Sequence, residues 1–162
     1  MYIKRKLDER LSTFKNLRSF GLRSPKSSHR YKVTLGVGGN VGDVLRRFQH
    51  LEIYLRRDKR VELLQKSLIL KNPPFGFTKQ DDFFNSIIVL KTSMQPMVFL
   101  DYLMRVEKKF ARKRSFANAP RTLDLDIIFF DKRVVSTPKL QIPHAHWAKR
   151  ESVLIPLADI KR

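Results

Sequence analysis

Apolar and polar positions change period several times along this chain, and each change marks an element. From Tyr31, the residues Val33, Leu35 and Val37 alternate with polar or small ones, the period-two pattern of a strand. A glycine-rich turn from Gly36 to Asp43 follows. Asp43 can cap a helix whose apolar stripe is Val44, Leu45, Phe48, Leu51 and Leu55. Leu63 to Leu70 predicts a second strand. Phe83 to Leu90 predicts a third, with the buried run Ile87, Ile88, Val89 and Leu90. Between these two strands, Asn72-Pro73-Pro74-Phe75-Gly76 must be a loop, because two prolines remove two backbone donors and fix two φ angles. Ser93 and Pro96 open a second helix with the stripe Val98, Phe99, Tyr102, Leu103, Val106 and Phe110. Leu123 to Phe130 predicts a fourth strand. The order β-α-β-β-α-β is the split, ferredoxin-like arrangement: an α+β fold with an antiparallel sheet and helices packed on it. C-terminal additions follow it.

Ahead of Tyr31 the pattern differs. Leu7, Leu11, Phe14, Leu17 and Phe20 recur at helical spacing and predict a short amphipathic helix, broken at Ser24-Pro25-Lys26-Ser27-Ser28. Charge sharpens the division. The chain holds 34 Lys+Arg against 15 Asp+Glu, a net charge of +19. Residues 1–32 carry ten bases against Asp8 and Glu9. Residues 1–30 therefore read as a basic extension on a flexible linker, a solvated or loosely docked tail, with a binding role as the alternative. Residues 31–162 form the domain. The extension lacks the apolar core of a secretory signal and matches a mitochondrial presequence only in part. No apolar run approaches the roughly 18 residues that span a bilayer. There are no cysteines, so disulfides, thiolate chemistry and Cys zinc sites are excluded. A cytoplasmic monomer is the expectation.

The chemistry concentrates in the second half. The glycine run has Val41 where a dinucleotide fingerprint needs its last Gly, and it lacks the Lys-Ser/Thr of a P-loop. A tight strand-to-helix turn explains it as well. Asp124-Leu125-Asp126 is sharper. In a strand, residues i and i+2 share a face roughly 6.5–7 Å apart. Leu123, Leu125 and Ile127 then form the opposite, apolar face. Two carboxylates so placed repel unless a cation lies between them, and hard oxygens suit Mg²⁺ completed by substrate phosphates. A solvated strand face is the plain alternative. The neighbourhood favours the metal: Arg105, Lys108, Lys109, Arg112, Lys113, Arg114 and Arg121 stand against the single acid Glu107. Arginine forks bind phosphate oxygens and stabilise charge in a transition state. Residues 115–120 are small and fit a closing loop. His144 and His146 lack a third ligand for zinc, and an imidazole on a phosphate fits better beside Lys149 and Arg150. Trp147 reads as a packing residue.

A set of these residues, in order, resembles the 6-hydroxymethyl-7,8-dihydropterin pyrophosphokinase family. The set is Gly38-Gly39-Asn40, Asn72-Pro73-Pro74-Phe75-Gly76, Asn85, Glu107, Arg112, Ala119-Pro120-Arg121-Thr122-Leu123-Asp124-Leu125-Asp126-Ile127, Ile142-Pro143-His144 and Arg150. The resemblance runs from about Val33 to Ile160. It implies a ferredoxin-like fold and transfer of pyrophosphate from ATP to the pterin, with two Mg²⁺ ions. Asp124 and Asp126 would hold the ions, with Arg112 and Arg121 on the transferring phosphates. Glu107, Arg114, Ile127, His144 and Arg150 would line the nucleotide site. Asn85, Phe83 and the Pro74-Phe75-Gly76 backbone would receive the pterin.

Some positions depart from the family pattern. The common Trp-Gly-Pro-Arg is Asn118-Ala119-Pro120-Arg121 here, with Phe116 two residues before the missing Trp. No aromatic stands near Ser152 to stack on the pterin. Two competing classes remain at this point: a basic nucleic-acid-binding module of the same strand order, and an inactive member of the family. Nucleic acid is not the expected partner, because no stretch matches an aromatic RNA-binding strand.

Overall fold

The computed structural model describes residues 1–16, 28–113 and 116–160. Its architecture is mixed α and β, with an antiparallel sheet and three helices. Two strands come first, β1 (Tyr2–Lys6) and β2 (Ser12–Asn16). The domain then runs β3 (Tyr31–Gly39), α1 (Val44–Arg57), β4 (Val61–Lys66), β5 (Ile69–Asn72), β6 (Phe83–Thr92), α2 (Pro96–Lys109) and β7 (Asp124–Phe130). A short hairpin of β8 (Val135–Ser136) and β9 (Gln141–Ile142), a 3-10 turn at Trp147–Lys149 and α3 (Glu151–Ala158) close the chain. Among the described residues, no helix is long and apolar enough to cross a membrane.

Strand β3 is central, antiparallel to β6 on one side and to β7 on the other. The sheet order is β1-β2-β5-β6-β3-β7, and β4 pairs with the far half of β6. The expected second strand is thus two strands with a break. At the break the Ser67 hydroxyl accepts from the Ile87 amide at 2.8 Å, so a side chain takes over one ladder contact. The next amide, that of Leu68, donates to Asp159 at 2.7 Å.

The sheet is covered on both sides. Val33, Leu35 and Val37 pack with Phe48, Leu51 and Leu55 of α1 and with Phe99, Leu103 and Val106 of α2. Ile87, Val89 and Ile128 point to the other face, against Val153 of α3. Trp147 packs edge-on to Phe129 at 4.9 Å. Asp43 caps α1 as expected, accepting from the Arg46 amide at 3.0 Å; α2 starts at Pro96, but its N-cap is Gln95, which makes no side-chain cap bond, and the Ser93 hydroxyl meets His29 instead. Val98 is the exception in its stripe, lying half exposed on the outer side of α2.

Strand β7 contains a bulge. Leu35 pairs with Ile127 and Thr34 with Phe129, so Ile128 has no opposite number. The extra residue shifts the alternation, so that Leu125, Ile127 and Phe130 all reach the helix-side core although their spacing is uneven.

The N-terminal segment differs from the expected helix. Residues 2–16 form a hairpin, and β2 extends the sheet by pairing with β5. Leu11 and Thr13 are buried, and Phe14 meets Phe84 at 5.7 Å. Leu17, Phe20 and the Ser24 to Ser27 part of the expected helix break lie outside the described residues.

Candidate active site

The site lies at one end of the sheet, where β3 finishes and β6 and β7 begin. Gly36 and Gly38 of β3 occupy the face turned away from α1 and α2. Gly38 is registered between Asn85 and Asp124, and Gly36 between Ile87 and Asp126. Glycine here keeps the backbone bare. A Cβ on Gly38 would stand 3.0 Å from the Asn85 Oδ1. A cavity of about 420 Å³ opens above this floor. Gly39, one residue on, lets two backbones touch: a Cβ there would fall 2.6 Å from the Thr122 carbonyl oxygen.

Asp124 and Asp126 project into the cavity from one face of β7, as alternation requires. Their environments differ. Arg112 donates to Asp124 Oδ1 at 2.6 Å and Arg121 to its Oδ2 at 2.7 Å. Arg112 also pairs with Glu107, a buried carboxylate in the last turn of α2. Glu107 in turn accepts from the Leu125 amide at 2.8 Å, which ties α2 to β7. Asp126 has no such partner among the described residues. Burial pushes its carboxyl up to about 7, and the charges of Asp124 and Glu107 add to the shift against the pull of Arg112 and Arg121.

Asp126, without a cationic partner among the described residues and beside Asp124 at the same cavity, fits a divalent cation held between the two. Among the described residues, no three His, Asp or Glu side chains converge as a closed metal cage. Two carboxylates suit Mg²⁺, which takes one or two of them and fills its remaining positions with water and phosphate oxygens. Arg121 adds a second sign of a missing partner. Its Nε is buried without a hydrogen bond, while its guanidinium lies 5.2 Å from the Phe83 ring centre.

His144 reaches the same cavity from the segment after β9, anchored by its amide on the Ile128 carbonyl at 3.0 Å. Burial lowers its pKa, and the neighbouring Arg150 and His146 lower it further. Both effects favour the neutral ring over the imidazolium. The His146 amide donates to Nδ1 at 3.3 Å, so Nε2 carries the proton and can donate it to an anion. Arg150 lines the cavity as well.

On the opposite wall stand Phe75, Phe83 and Asn85. Asn85 donates to Asn72 Oδ1 at 2.7 Å, which fixes the orientation of its amide. Pro74 and Gly76 flank Phe75 without lining the cavity. Gly76 has φ +71°, and a Cβ there would stand 2.7 Å from the Asn118 side chain. Ile127 sends its side chain into the helix-side core, which leaves only its backbone for a ligand; Ile128 lines the cavity instead. Arg114 lies outside the described residues.

Among the residues that hold the site, Asn40 stands in the resembling motif but received no role from the sequence, and Arg47, Gln80 and Lys139 were not singled out. Asn40 is buried at the end of β3 and clamps Arg121 by its backbone in both directions: the Asn40 amide donates to the Arg121 carbonyl, and the Arg121 amide to Asn40 Oδ1, each at 2.9 Å. Its Nδ2 donates to Gln80 at 2.9 Å, and Gln80 donates to the Asn118 carbonyl at 2.9 Å. The loop before β6 and the loop before β7 are thus tied together, and Phe77 meets Phe116 across them at 5.4 Å. Arg47 of α1 donates to the Val41 and Thr122 carbonyls at 2.6 and 3.2 Å. Lys139 contributes a further cation to the cavity wall.

A bare sheet floor, carboxylates beside arginines and an imidazole on one cavity are the chemistry of a phosphate-transferring enzyme. The comparisons with known proteins make this specific. The profile described as 7,8-dihydro-6-hydroxymethylpterin-pyrophosphokinase matches residues 34–162, and the chain belongs to that family. It is 40% identical over 129 residues to the 2-amino-4-hydroxy-6-hydroxymethyldihydropteridine pyrophosphokinase of Helicobacter pylori, covering 78% of this chain and 79% of that one. The Campylobacter jejuni protein of the same name is 38% identical, over 82% of this chain and 85% of its own. The folic acid synthesis protein FOL1 of Dictyostelium discoideum is 33% identical over 79% of this chain, but the match takes up only 19% of that longer protein.

Proposed function

We propose that this chain transfers pyrophosphate from ATP to 6-hydroxymethyl-7,8-dihydropterin, a step of folate biosynthesis. The hydroxymethyl oxygen attacks the β-phosphorus, the bond between the α,β-bridging oxygen and that phosphorus breaks, and AMP leaves with the bridging oxygen. The hydroxyl proton passes to solvent. The observation that carries this reading is the convergence of Asp124, Asp126, Arg112, Arg121, His144 and Asn85 on one cavity, within a chain of the pyrophosphokinase family.

Asp124 and Asp126 would hold two Mg²⁺ ions, which would supply charge neutralisation for the phosphates. Arg112 and Arg121 exchange their bonds to Asp124 for phosphate oxygens; the unsatisfied Nε of Arg121 offers a donor for this. His144 donates from Nε2, and Arg150, Glu107 and the Ile127 backbone complete the nucleotide side. Arg114 belongs with them by its place in the basic loop. Asn85 offers both a donor and an acceptor to the pterin edge, with Phe83 against the ring and the Pro74-Phe75-Gly76 turn over it. Among the described residues no group in the cavity is assigned as a general base, and alignment and charge neutralisation supply most of the acceleration.

The run β3-α1-β4/β5-β6-α2-β7 is the ferredoxin-like unit, residues 31–162 are the catalytic domain and residues 1–30 an extension of it. The chain acts as a monomer in this reading. The test is AMP release from MgATP and the hydroxymethyl dihydropterin. Wild type should turn over, and Asp126→Ala should lose activity by a factor of 100 or more, on the order expected for an essential electrostatic group, with an unchanged circular dichroism spectrum. Wild-type protein that bound RNA and released no AMP would overturn the assignment. An Asp126→Ala variant with near-normal turnover would remove the metal role.

A further inference from the structure

The profile of the family begins at residue 34, and the hairpin lies before it. Its strand β1 is the outermost of the sheet, and among the described residues nothing pairs with its outer side. Lys4, Arg5 and Lys6 are exposed and take no part in an ion pair among the described residues. Asp8, the nearest acid, is engaged in its own turn, accepting from the Arg10 and Leu11 amides at 2.7 Å each. Alternation sends Lys4 and Lys6 to one face and Arg5 to the other. Ile3 and Leu7, 52% and 45% exposed, stand on either side of this cationic run. The hairpin itself is anchored, through Leu11, Thr13 and the pairing of β2 with β5.

We propose that β1 is a docking edge for an extended acidic segment of a partner protein, which adds to the sheet as a further strand. An edge strand presents unpaired N–H and C=O groups, and a peptide backbone completes them where a phosphodiester backbone does not. Three consecutive acids opposite Lys4, Arg5 and Lys6 form cross-strand pairs on both faces, and an apolar residue at each end covers Ile3 and Leu7. A second copy of this chain fits poorly, since β1 against β1 brings like charges together. Nucleic acid lacks a stacking surface here: the aromatic ring of β1, Tyr2, turns inward and packs on the core beside α1.

The probe is a labelled peptide with three consecutive acids between valines, titrated into the full chain at low salt and followed by anisotropy. Saturable binding is expected, with slowed hydrogen exchange of the amides of residues 2–6 in the complex. The triple variant K4E/R5E/K6E should weaken binding about tenfold or more, from three lost cross-strand pairs. The neutral K4Q/R5Q/K6Q guards against a fold defect and should also bind more weakly, with AMP release unaltered in both. Unchanged binding by either variant overturns the proposal, as does exchange at residues 2–6 that stays fast. Tighter binding of an oligouridylate or of phosphatidylglycerol vesicles than of the peptide overturns it too.

Discussion

Gly36 and Gly39 look alike in the sequence, and their surroundings separate them. A Cβ at Gly39 meets the Thr122 carbonyl oxygen at 2.6 Å, and neither backbone can move without breaking the Asn40–Arg121 clamp. At Gly36 the nearest atom is the end of the Ile128 side chain at 3.2 Å, which can rotate. Gly39→Ala should therefore cost about 2–3 kcal/mol, the upper range for overpacking, and lower the melting temperature by roughly 5–10 °C for a chain of this size. Gly36→Ala should cost under about 1 kcal/mol. Paired thermal melts decide it; equal shifts would contradict the backbone-contact argument. The Asp pair was legible in the sequence because strand alternation alone puts both carboxylates on one face. The roles of Asn40, Arg47 and Asn72 were not, because they depend on partners brought close only by folding: Asn40 meets Arg121, and Arg47 meets Thr122.

Among the elements, the helices and central strands follow from period and caps, while the N-terminal segment does not. Leu7, Leu11 and Phe14 fit a helical spacing, yet Asp8 turns the chain back on itself by accepting two amides just ahead of β2. The free side of β5 then offers backbone partners that an isolated short helix lacks. Leu11 tests how far this hairpin is part of the domain. Leu11→Ala should destabilise the whole protein by about 2–3 kcal/mol in urea unfolding followed by tryptophan fluorescence, and a loosely attached tail would show no change. A second element-level contact lies at the C-terminal end of α1. Asp58 accepts from Arg60 and from the Tyr102 hydroxyl of α2, and its pKa is lowered to about 2, chiefly by the Arg60 hydrogen bond. A lowered carboxyl pKa gives stability that is complete above its ordinary value of 3.8 and disappears as pH falls toward 2. Because Arg60 is solvated, the effect is at most about 1 kcal/mol. Asp58→Asn should flatten the stability profile between pH 4 and 2 and leave the rest of the acid limb in place; an identical profile would dismiss the contact.

At the scale of the molecule, the +19 charge runs well beyond the five cations of the hairpin on one edge of the sheet and the four lining the cavity toward the other, Arg112, Arg121, Lys139 and Arg150. The excess makes the folded chain repel itself and draws in polyanions. Raising salt from 0.05 to 0.5 M shortens the screening length from above ~10 Å to a few Å. The melting temperature should then rise while the apparent affinity for ATP falls several-fold. A melting temperature that fell with salt would mean that attractive pairs outweigh the repulsion.

The bulge at Ile128 carries one more consequence. It acts as a phase shifter: the half of β7 that bears the carboxylates and the half that feeds the core obey separate alternations, joined at a single unpaired residue. A one-residue insertion beyond that point, toward the β8 turn, leaves the Asp pair facing the cavity. The same insertion between Asp124 and the bulge turns one carboxylate into the oily interior. Length variation along this strand is therefore permitted on one side of Ile128 and forbidden on the other, a directional constraint that homologous chains and deliberate insertions can both be checked against.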